Sequence, residues 1–422
     1  MKKTFSIISL GCPRNLVDSE YIANEFKEKG FDLKDEAGKA HTVIINTCSF
    51  IEDAKVESID TILKVIDAKK KGDVKRIIVA GCLPERYSKK LKKEFKEIDE
   101  FRGVLDFKAT FKDKDRTTLT PSYYSYLKIS EGCKNRCTYC IIPYLKGPYT
   151  SRPIGPAVEE ARGLFKKNIK EIILVGQDTS LYGSDLYGKK RLAELLKKID
   201  DITDGKWVRL LYCHPKNLGR DVLQIIKNSK NICKYIDLPI EHISSNILKR
   251  MGRKIKKSKI VALIKRIRDI IPGVALRTSF IVGFPGETGE DFRELVEFMK
   301  DVKFERLGIF KYSREEGTPA YKYKGQISEK IKEERFKEAM LIQQEVSREV
   351  NRGFMGRVMD VLIEEEKDGA FVGRTEYDAP EVDGVVYINS KDKKLDIGNF
   401  YKARIIDTYE YDLVGELYEP TE

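Results

Sequence analysis

Residues 131–140 read Glu131-Gly132-Cys133-Lys134-Asn135-Arg136-Cys137-Thr138-Tyr139-Cys140, three cysteines spaced C-x3-C-x2-C on one short loop. A 4Fe-4S cube asks for a thiolate at each iron, and four cysteines usually supply them. This loop offers three. One iron is then left open for a substrate or cofactor, the same logic that separates catalytic from closed structural zinc. Two blander readings stand beside this one, a zinc knuckle and three unrelated thiols. Zinc would want a fourth ligand, and after Cys140 no Cys or His follows until Cys213 and His214.

The loop follows a strand-like run at Tyr126–Ser130. Further runs come at Glu171–Val175, Trp207–Tyr212, Lys234–Leu238, Val274–Val282 and Phe304–Phe310. Between them lie helical patterns at Ala157–Lys167, Leu192–Ile199, Val222–Asn228, Lys256–Ile271 and Glu290–Val302. Six strand–helix units are too few for a closed eight-unit barrel and predict a partial (β/α)6 barrel. Its reactive face is expected at the carboxyl ends of the strands, where the Cys133 loop falls. Loops with polar groups follow these strands at Gly176–Thr179, Cys213–Pro215, Pro239–His242 and Gly283–Glu287. His214 and His242 are read equally as substrate-facing or structural.

Upstream, Phe5–Leu10, Thr42–Asn46 and Arg76–Ala80 are apolar runs separated by helical patterns at Asn15–Lys29 and Ala54–Ala68. Strand, helix, strand, helix, strand predicts a doubly wound parallel sheet, whose ligands bind beyond the strands' carboxyl ends. Cys12, Cys48 and Cys82 each fall at such an end. Three cysteines far apart in sequence are thereby expected to converge on one sheet edge, which fits a second iron–sulfur cluster; the alternative is three buried strand-end thiols. His41 is rejected as a fourth ligand. It begins the second strand, and seven residues at ~3.3 Å each put it roughly 20 Å from Cys48. Cys213 and Cys233 have no partner pattern and read as core thiols.

Phe107–Tyr124 is polar and reads as a linker. Glu329–Asn351 reads as a long charged connecting helix. Beyond it short strands are expected at Arg357–Ile363, Ala370–Thr375, Gly384–Asn389 and Phe400–Tyr409, a small β-barrel. The expected domains are residues 3–115, 119–350 and 352–420. Charge is divided unevenly among them. The chain carries +12 overall, from 79 basic and 67 acidic residues. Residues 352–422 hold 9 basic and 17 acidic side chains, a net of −8, so the rest carries +20. An acidic tail domain suits a basic partner and matches phosphate backbones poorly. The amino terminus lacks the long apolar core of a signal peptide, and no apolar run approaches the roughly 18 residues of a spanning helix. The expected compartment is the cytoplasm, without membrane contact, where eight cysteines read as metal ligands or catalytic groups rather than disulfides.

The spacing of Cys133, Cys137 and Cys140 resembles the signature of the radical S-adenosylmethionine (SAM) enzymes, and the whole chain resembles the radical-SAM methylthiotransferases. These join an amino-terminal methylthiotransferase domain, a radical-SAM core and a carboxyl-terminal TRAM barrel. Ser9-Leu-Gly-Cys-Pro-Arg-Asn-Leu-Val-Asp-Ser-Glu20, Asn46-Thr-Cys-Ser-Phe-Ile-Glu-Asp-Ala54 and Asp378-Ala-Pro-Glu-Val-Asp-Gly384 look like the RimO branch. The tRNA-modifying branch typically has Gly-Cys-Gln-Met-Asn after the first strand. The resemblance implies that Cys133, Cys137 and Cys140 hold a 4Fe-4S cluster whose open iron chelates SAM. Cys12, Cys48 and Cys82 would hold a second 4Fe-4S cluster that delivers sulfur. It further implies that a 5′-deoxyadenosyl radical takes a hydrogen from the β-carbon of an aspartate in the small-subunit ribosomal protein numbered twelve. A second SAM then supplies methyl, giving 3-methylthioaspartate, with an external electron donor.

Two residues depart from the family's habit. Arg14 stands where Lys is usual, and Glu241 where Gln is usual, adding a negative charge near the presumed SAM face. Two other functions compete. A tRNA adenosine methylthiotransferase would want a basic TRAM surface. A non-catalytic iron–sulfur scaffold would gain nothing from an open iron.

Overall fold

The computed structural model describes residues 3–36, 40–112, 116–390 and 393–419. The amino-terminal unit runs β1 (Thr4–Ser9), α1 (Pro13–Glu28), β2 (Asp32–Leu33), β3 (Thr42–Thr47), α2 (Glu52–Lys71), β4 (Arg76–Gly81), α3 (Cys82–Glu94) and β5 (Glu100–Phe101). Its five strands are all parallel, in the order β2-β1-β3-β4-β5. Period-2 alternation decides which helix each residue meets. Ile44 and Ile78 pack under Ile22, Ala23 and Phe26 of α1. Val43, Ile45, Ile77 and Val79 pack on the opposite face, under Ile62, Val65 and Ile66 of α2 and Leu83 and Leu91 of α3. Burial on both faces explains why β3 reads as an uninterrupted apolar run. The strand order reverses between β1 and β3, the place where doubly wound sheets open a crevice at their carboxyl edge.

Residues 113–115, in the expected linker and at the expected end of the first domain, lie outside the described residues, as does residue 420. The described part of the linker is tied down. Arg116 is buried, its Nε 2.6 Å from Glu20 of α1, and it also pairs with Glu160.

The central unit runs β6 (Tyr124–Lys128), β7 (Ser130–Glu131), α4 (Ile142–Leu145), β8 (Thr150–Ser151), α5 (Ile154–Lys166), β9 (Glu171–Val175), α6 (Leu192–Asp200), β10 (Trp207–Leu210), α7 (Arg220–Asn228), β11 (Tyr235–Asp237), α8 (Ser245–Arg250), α9 (Lys257–Ile270), β12 (Ala275–Val282), α10 (Gly289–Val302), β13 (Arg306–Lys311) and α11 (Glu329–Arg352). Two parallel sheets, β6-β9-β10 and β11-β12-β13, meet through a single bridge between Val208 and Ile232. That makes the expected six-stranded partial barrel, with its outer core between strands and helices. The lumen is filled by Tyr126, Ile173, Val175, Leu211 and Tyr235, joined there by Val17 and Tyr21 of α1 and by Ala379 of the third unit. Three units therefore share one core.

The third unit is a closed barrel in the order β14-β15-β16-β18-β17, from β14 (Val358–Lys367), β15 (Ala370–Thr375), β16 (Val386–Asn389), β17 (Phe400–Thr408) and β18 (Leu413–Leu417). The sequence reading found four of these strands and missed β18, which pairs parallel to β16 and antiparallel to β17 and closes the barrel. A Cβ on Gly415 would lie 3.0 Å from Ile388 and 3.3 Å from Ala403. The glycine that hides this strand from a pattern search is what lets it fit. No helix among the described residues is long and apolar enough to cross a membrane.

Candidate active site

Each cysteine of the first set follows a central strand of the amino-terminal sheet. Cys12 caps α1 after β1, Cys48 follows β3, and Cys82 opens α3 after β4. Two glycines allow the close approach. At Gly11 (φ +87°) a Cβ would lie 2.7 Å from Cys48 Cβ, and at Gly81 (φ +92°) one would lie 2.7 Å from the Thr47 carbonyl. Polar side chains tie the strand ends together. Asn15 Nδ2 donates to Leu10 O (2.7 Å), Asn46 Nδ2 to Asn15 O (2.8 Å) and Ser49 Oγ to Cys82 O (3.0 Å). The three thiols lie near enough to act on one another electrostatically. Burial pushes Cys82 up to about 12, with Cys48 and Cys12 adding to the rise; burial, then Cys12, raises Cys48. Cys12 also loses by burial, yet Arg14 and the Asn15 N–H bring it below the ordinary thiol value.

The second set sits on the loop after β7. Gly132 (φ +75°) lets the loop pass 2.6 Å from the Gly147 carbonyl at the position a Cβ would take. Thr138 anchors its middle, with its N–H donating to Met251 O and its Oγ1 to Arg250 O, both 2.9 Å, while its carbonyl accepts from Ala320 N. The Asn135 N–H points at Cys133 Sγ (3.4 Å), and Asn135 Nδ2 donates to Asp178 (2.5 Å) in the loop after β9. Buried Arg253 brings Nη1 to 3.7 Å from Cys137 Sγ and 3.5 Å from the Tyr139 hydroxyl. Burial pushes both Cys133 and Cys140 up, and neighbouring thiolates add to it.

The two sets meet across the boundary between units. Cys82 packs directly against Ile141 and Leu145, the residues that follow Cys140. Arg14 spans the gap. Its Nε is 3.5 Å from Cys12 Sγ, its Nη1 donates to Gly176 O after β9 (3.1 Å), and its guanidinium lies 4.5 Å from the Tyr212 ring centre. From the other side Lys146, bonded to Asp18 at 2.9 Å, lowers both Cys82 and Cys12. Lys128 pairs with the same Asp18 and with Glu131 (2.7 Å). Two cations, one from each unit, thus stand among three thiols that would be negative when ligating.

Asn135, Lys146 and Arg253 were not singled out from the sequence, and Arg14 stood out only as a departure from the family's usual Lys. None belongs to a spacing pattern; each becomes relevant only where two loops meet. His242 is wholly buried, with Nδ1 accepting from Ser244 N and Nε2 3.5 Å from Glu287, without a hydrogen-bond partner for Nε2 among the described residues. His214 is also buried, held down to about 2 by burial and by Arg253 and Lys216, and its Nε2 has no partner among the described residues. Ser130 Oγ in β7, Gln177 Oε1 after β9 and Arg253 Nε between α8 and α9 are likewise buried without a partner. Glu241 adopts φ +74° and bridges to Phe280, and burial raises its pKa with only partial relief from Arg253. Cys213 and Cys233 are core thiols, as expected, and His41 is exposed at the start of β3.

Among the described residues, no three His, Cys, Asp or Glu side chains gather tightly enough to hold one metal ion. A zinc ion draws its sulfurs to ~2.3 Å of a single centre. A cube whose thiolates each take a different iron holds them further apart, and sets of three thiols in mutual electrostatic range suit it. The unpartnered polar atoms around the Cys133 loop are what a polar cofactor would engage.

Residues 127–299 match the Radical SAM superfamily, residues 4–103 the uncharacterized protein family UPF0004, and residues 355–417 the TRAM domain. In fold the chain is similar to the radical S-adenosylmethionine methyltransferase TsrM from Kitasatospora setae. The TM-score is 0.55, at 15% identity, covering 76% of this chain and 77% of that one. The three matched families, in this order, define a radical-SAM enzyme of the methylthiotransferase architecture. The chain is 46% identical to the ribosomal protein uS12 methylthiotransferase RimO of Clostridioides difficile (strain 630), over 97% of this chain and 98% of that one. It is 47% identical to the protein of that name from Thermoanaerobacter sp. (strain X514), over 98% and 100%. It belongs to the RimO family.

Proposed function

We propose that this protein methylthiolates the β-carbon of an aspartate in ribosomal protein uS12, giving 3-methylthioaspartate. Cys133, Cys137 and Cys140 are assigned to the SAM-chelating 4Fe-4S cluster, and Cys12, Cys48 and Cys82 to a second one. The functional units are taken as residues 3–115, 119–350 and 352–420. The reaction needs two SAM molecules and an external electron donor, and its setting is the cytoplasm. The observation that carries the reading is the packing of Cys82, of one set, against Ile141, the residue after Cys140 of the other.

A cluster held by Cys133, Cys137 and Cys140 would supply the electron for reductive cleavage of SAM, and one held by Cys12, Cys48 and Cys82 would supply sulfur. The chain supplies placement and charge. Arg14 and Lys146 offset the negative charge of the Cys12 set, and Arg14 also fixes the distance between units through Gly176 and Tyr212. Arg253, at Cys137 Sγ, and Asn135, through Asp178, hold the Cys133 loop in place. The acidic third unit offers a surface for a basic ribosomal protein. The same acidity weighs against the tRNA alternative, because phosphates would be repelled.

Replacing each set separately tests the assignment. In anaerobically reconstituted protein, C133A/C137A/C140A is expected to abolish 5′-deoxyadenosine. C12A/C48A/C82A is expected to keep producing it but to transfer no methylthio group, with iron falling from about eight to about four per chain. Methylthio transfer by the second variant would overturn the division of labour.

A further inference from the structure

Beside the Cys133 loop runs a basic groove that the reaction does not use. Its main part is a cavity of about 920 Å³ between the loop after β10, helix α8 and helix α9. Lys216, Lys249, Lys254, Lys256, Lys259 and Arg266 line it, and no carboxylate does. All six are exposed. None of the six forms an ion pair among the described residues, whereas Lys257, next to Lys256 but outside the cavity, is paired with Glu294 at 2.7 Å. A second cavity of about 550 Å³ shares Asn246 and Lys249 with the first. It adds Arg250 and Lys324 and reaches Thr138, between two cysteines of the loop.

Groove and loop are mechanically one piece. Thr138 is hydrogen bonded to the carbonyls of Arg250 and Met251, and a Cβ on Gly252 would lie 3.2 Å from the Arg136 carbonyl. Lys249 and Lys254 bracket that segment.

Six unpaired cations in one trough repel each other and call for a polyanion. A basic ribosomal protein cannot occupy it. The acidic third unit offers that protein the opposite sign. Lysine is a mobile point charge that accepts phosphates without demanding a fixed geometry, which suits an irregular backbone. We propose that the groove seats the phosphate backbone of ribosomal RNA, so that the aspartate is presented to the Cys133 loop by a protein already bound to its RNA. The inference rests on the reading of uS12 as substrate. RNA here is a docking platform, not the group modified.

The test uses reconstituted full-length protein, a fluorescent single-stranded RNA and the variant K254Q/K256Q/K259Q. Counterion release predicts a slope of log K against log salt near −0.7 per phosphate contact, so losing three contacts makes it shallower by about 2. If the two affinities converge near 1 M salt, that corresponds to about a hundredfold weaker binding at 0.1 M. Methylthiolation of a free uS12 peptide is expected to be unchanged in the variant, while methylthiolation of uS12 within small ribosomal subunits falls at least about tenfold. Unchanged RNA affinity and slope would overturn the proposal. So would competition by polyglutamate where RNA of equal charge fails to compete, which would assign the groove to an acidic protein. Equal losses on peptide and subunit would make the lysines part of the reaction site instead. Failure of the wild type on both substrates would sink the uS12 reading while leaving the RNA slope as an independent report on the groove.

Discussion

A methyl group at Gly11 would have to share space with Cys48, whose Cβ and Sγ lie 2.7 and 2.9 Å from the Cβ position, in a backbone conformation (φ +87°) that L-residues disfavour. Gly11→Ala is therefore expected to displace Cys48 and to cost about 2 kcal/mol or more, from left-handed strain plus overpacking. A melting temperature lowered by several degrees, with impaired iron loading, is the expected result. An unchanged one would mean that the strand ends are not held as described. At this scale the six cysteines were legible, because thiols at short spacings or at strand ends carry chemistry by type alone. Arg14 was noticed only as a departure from habit. Its role depends on Gly176 and Tyr212, some 160 and 200 residues away, and no local pattern records such a meeting. Replacing Arg14 by Lys keeps the charge but loses the flat guanidinium over the Tyr212 ring. Retained iron with a reduced methylthio-transfer rate is the expected outcome, against an unaltered rate if the arginine acts only as a charge.

Between elements, the decisive contact is the seat of the β14–β18 barrel on the amino-terminal mouth of the partial barrel. Glu171, the first residue of β9, is wholly buried between Arg209 (2.5 Å) and Arg374 of β15 (2.7 Å). Asp378 pairs with Arg306, and Asp383 accepts from Arg277 (3.2 Å) and the Tyr235 hydroxyl (2.6 Å). The Asp378–Gly384 motif is thus a plug, and this explains why so long a polar motif contributes nothing to the cysteine sites. Glu171→Gln leaves two guanidinia short of a partner and is expected to cost about 3–5 kcal/mol, read in denaturant unfolding.

The pH dependence follows from the sign of the shift. Burial raises the Glu171 carboxyl, but Arg209 and Arg374 outweigh burial and hold it below its ordinary 4.5. Its contribution is present above pH 4.5 and lost as pH falls through the depressed value. Glu364 runs the other way, raised by burial that Arg374 only partly offsets, so its carboxylate opposes folding above pH 4.5. Glu171 has the two arginines and is the stronger group. Wild type is expected to lose thermal stability below pH 4.5, and E171Q to start lower and show less of that loss. Equal acid losses in both would assign the effect elsewhere. Most elements were legible, because parallel buried strands and amphipathic helices announce themselves. β18 was not, since Gly415 breaks its apolar run and its pairing with β16 is set by barrel closure.

Across the whole molecule, charge is divided between units: −8 on residues 352–422 and +20 on the rest. The sequence revealed this division, but not that the basic residues gather into a trough beside the cysteine loop. That required α8 and α9 to be placed. If the acidic unit captures a basic protein, raising salt from 50 to 200 mM is expected to raise the KM for a uS12 peptide while leaving kcat in place, because exposed charges are screened. The most direct measurement is a mass. Reconstituted protein, SAM and dithionite are incubated anaerobically with a uS12 peptide and, separately, with tRNA, and both products are weighed. A gain of about 46 Da on the peptide aspartate, one hydrogen replaced by a methylthio group, and none on tRNA is the predicted result. The same gain on tRNA with none on the peptide would contradict the account.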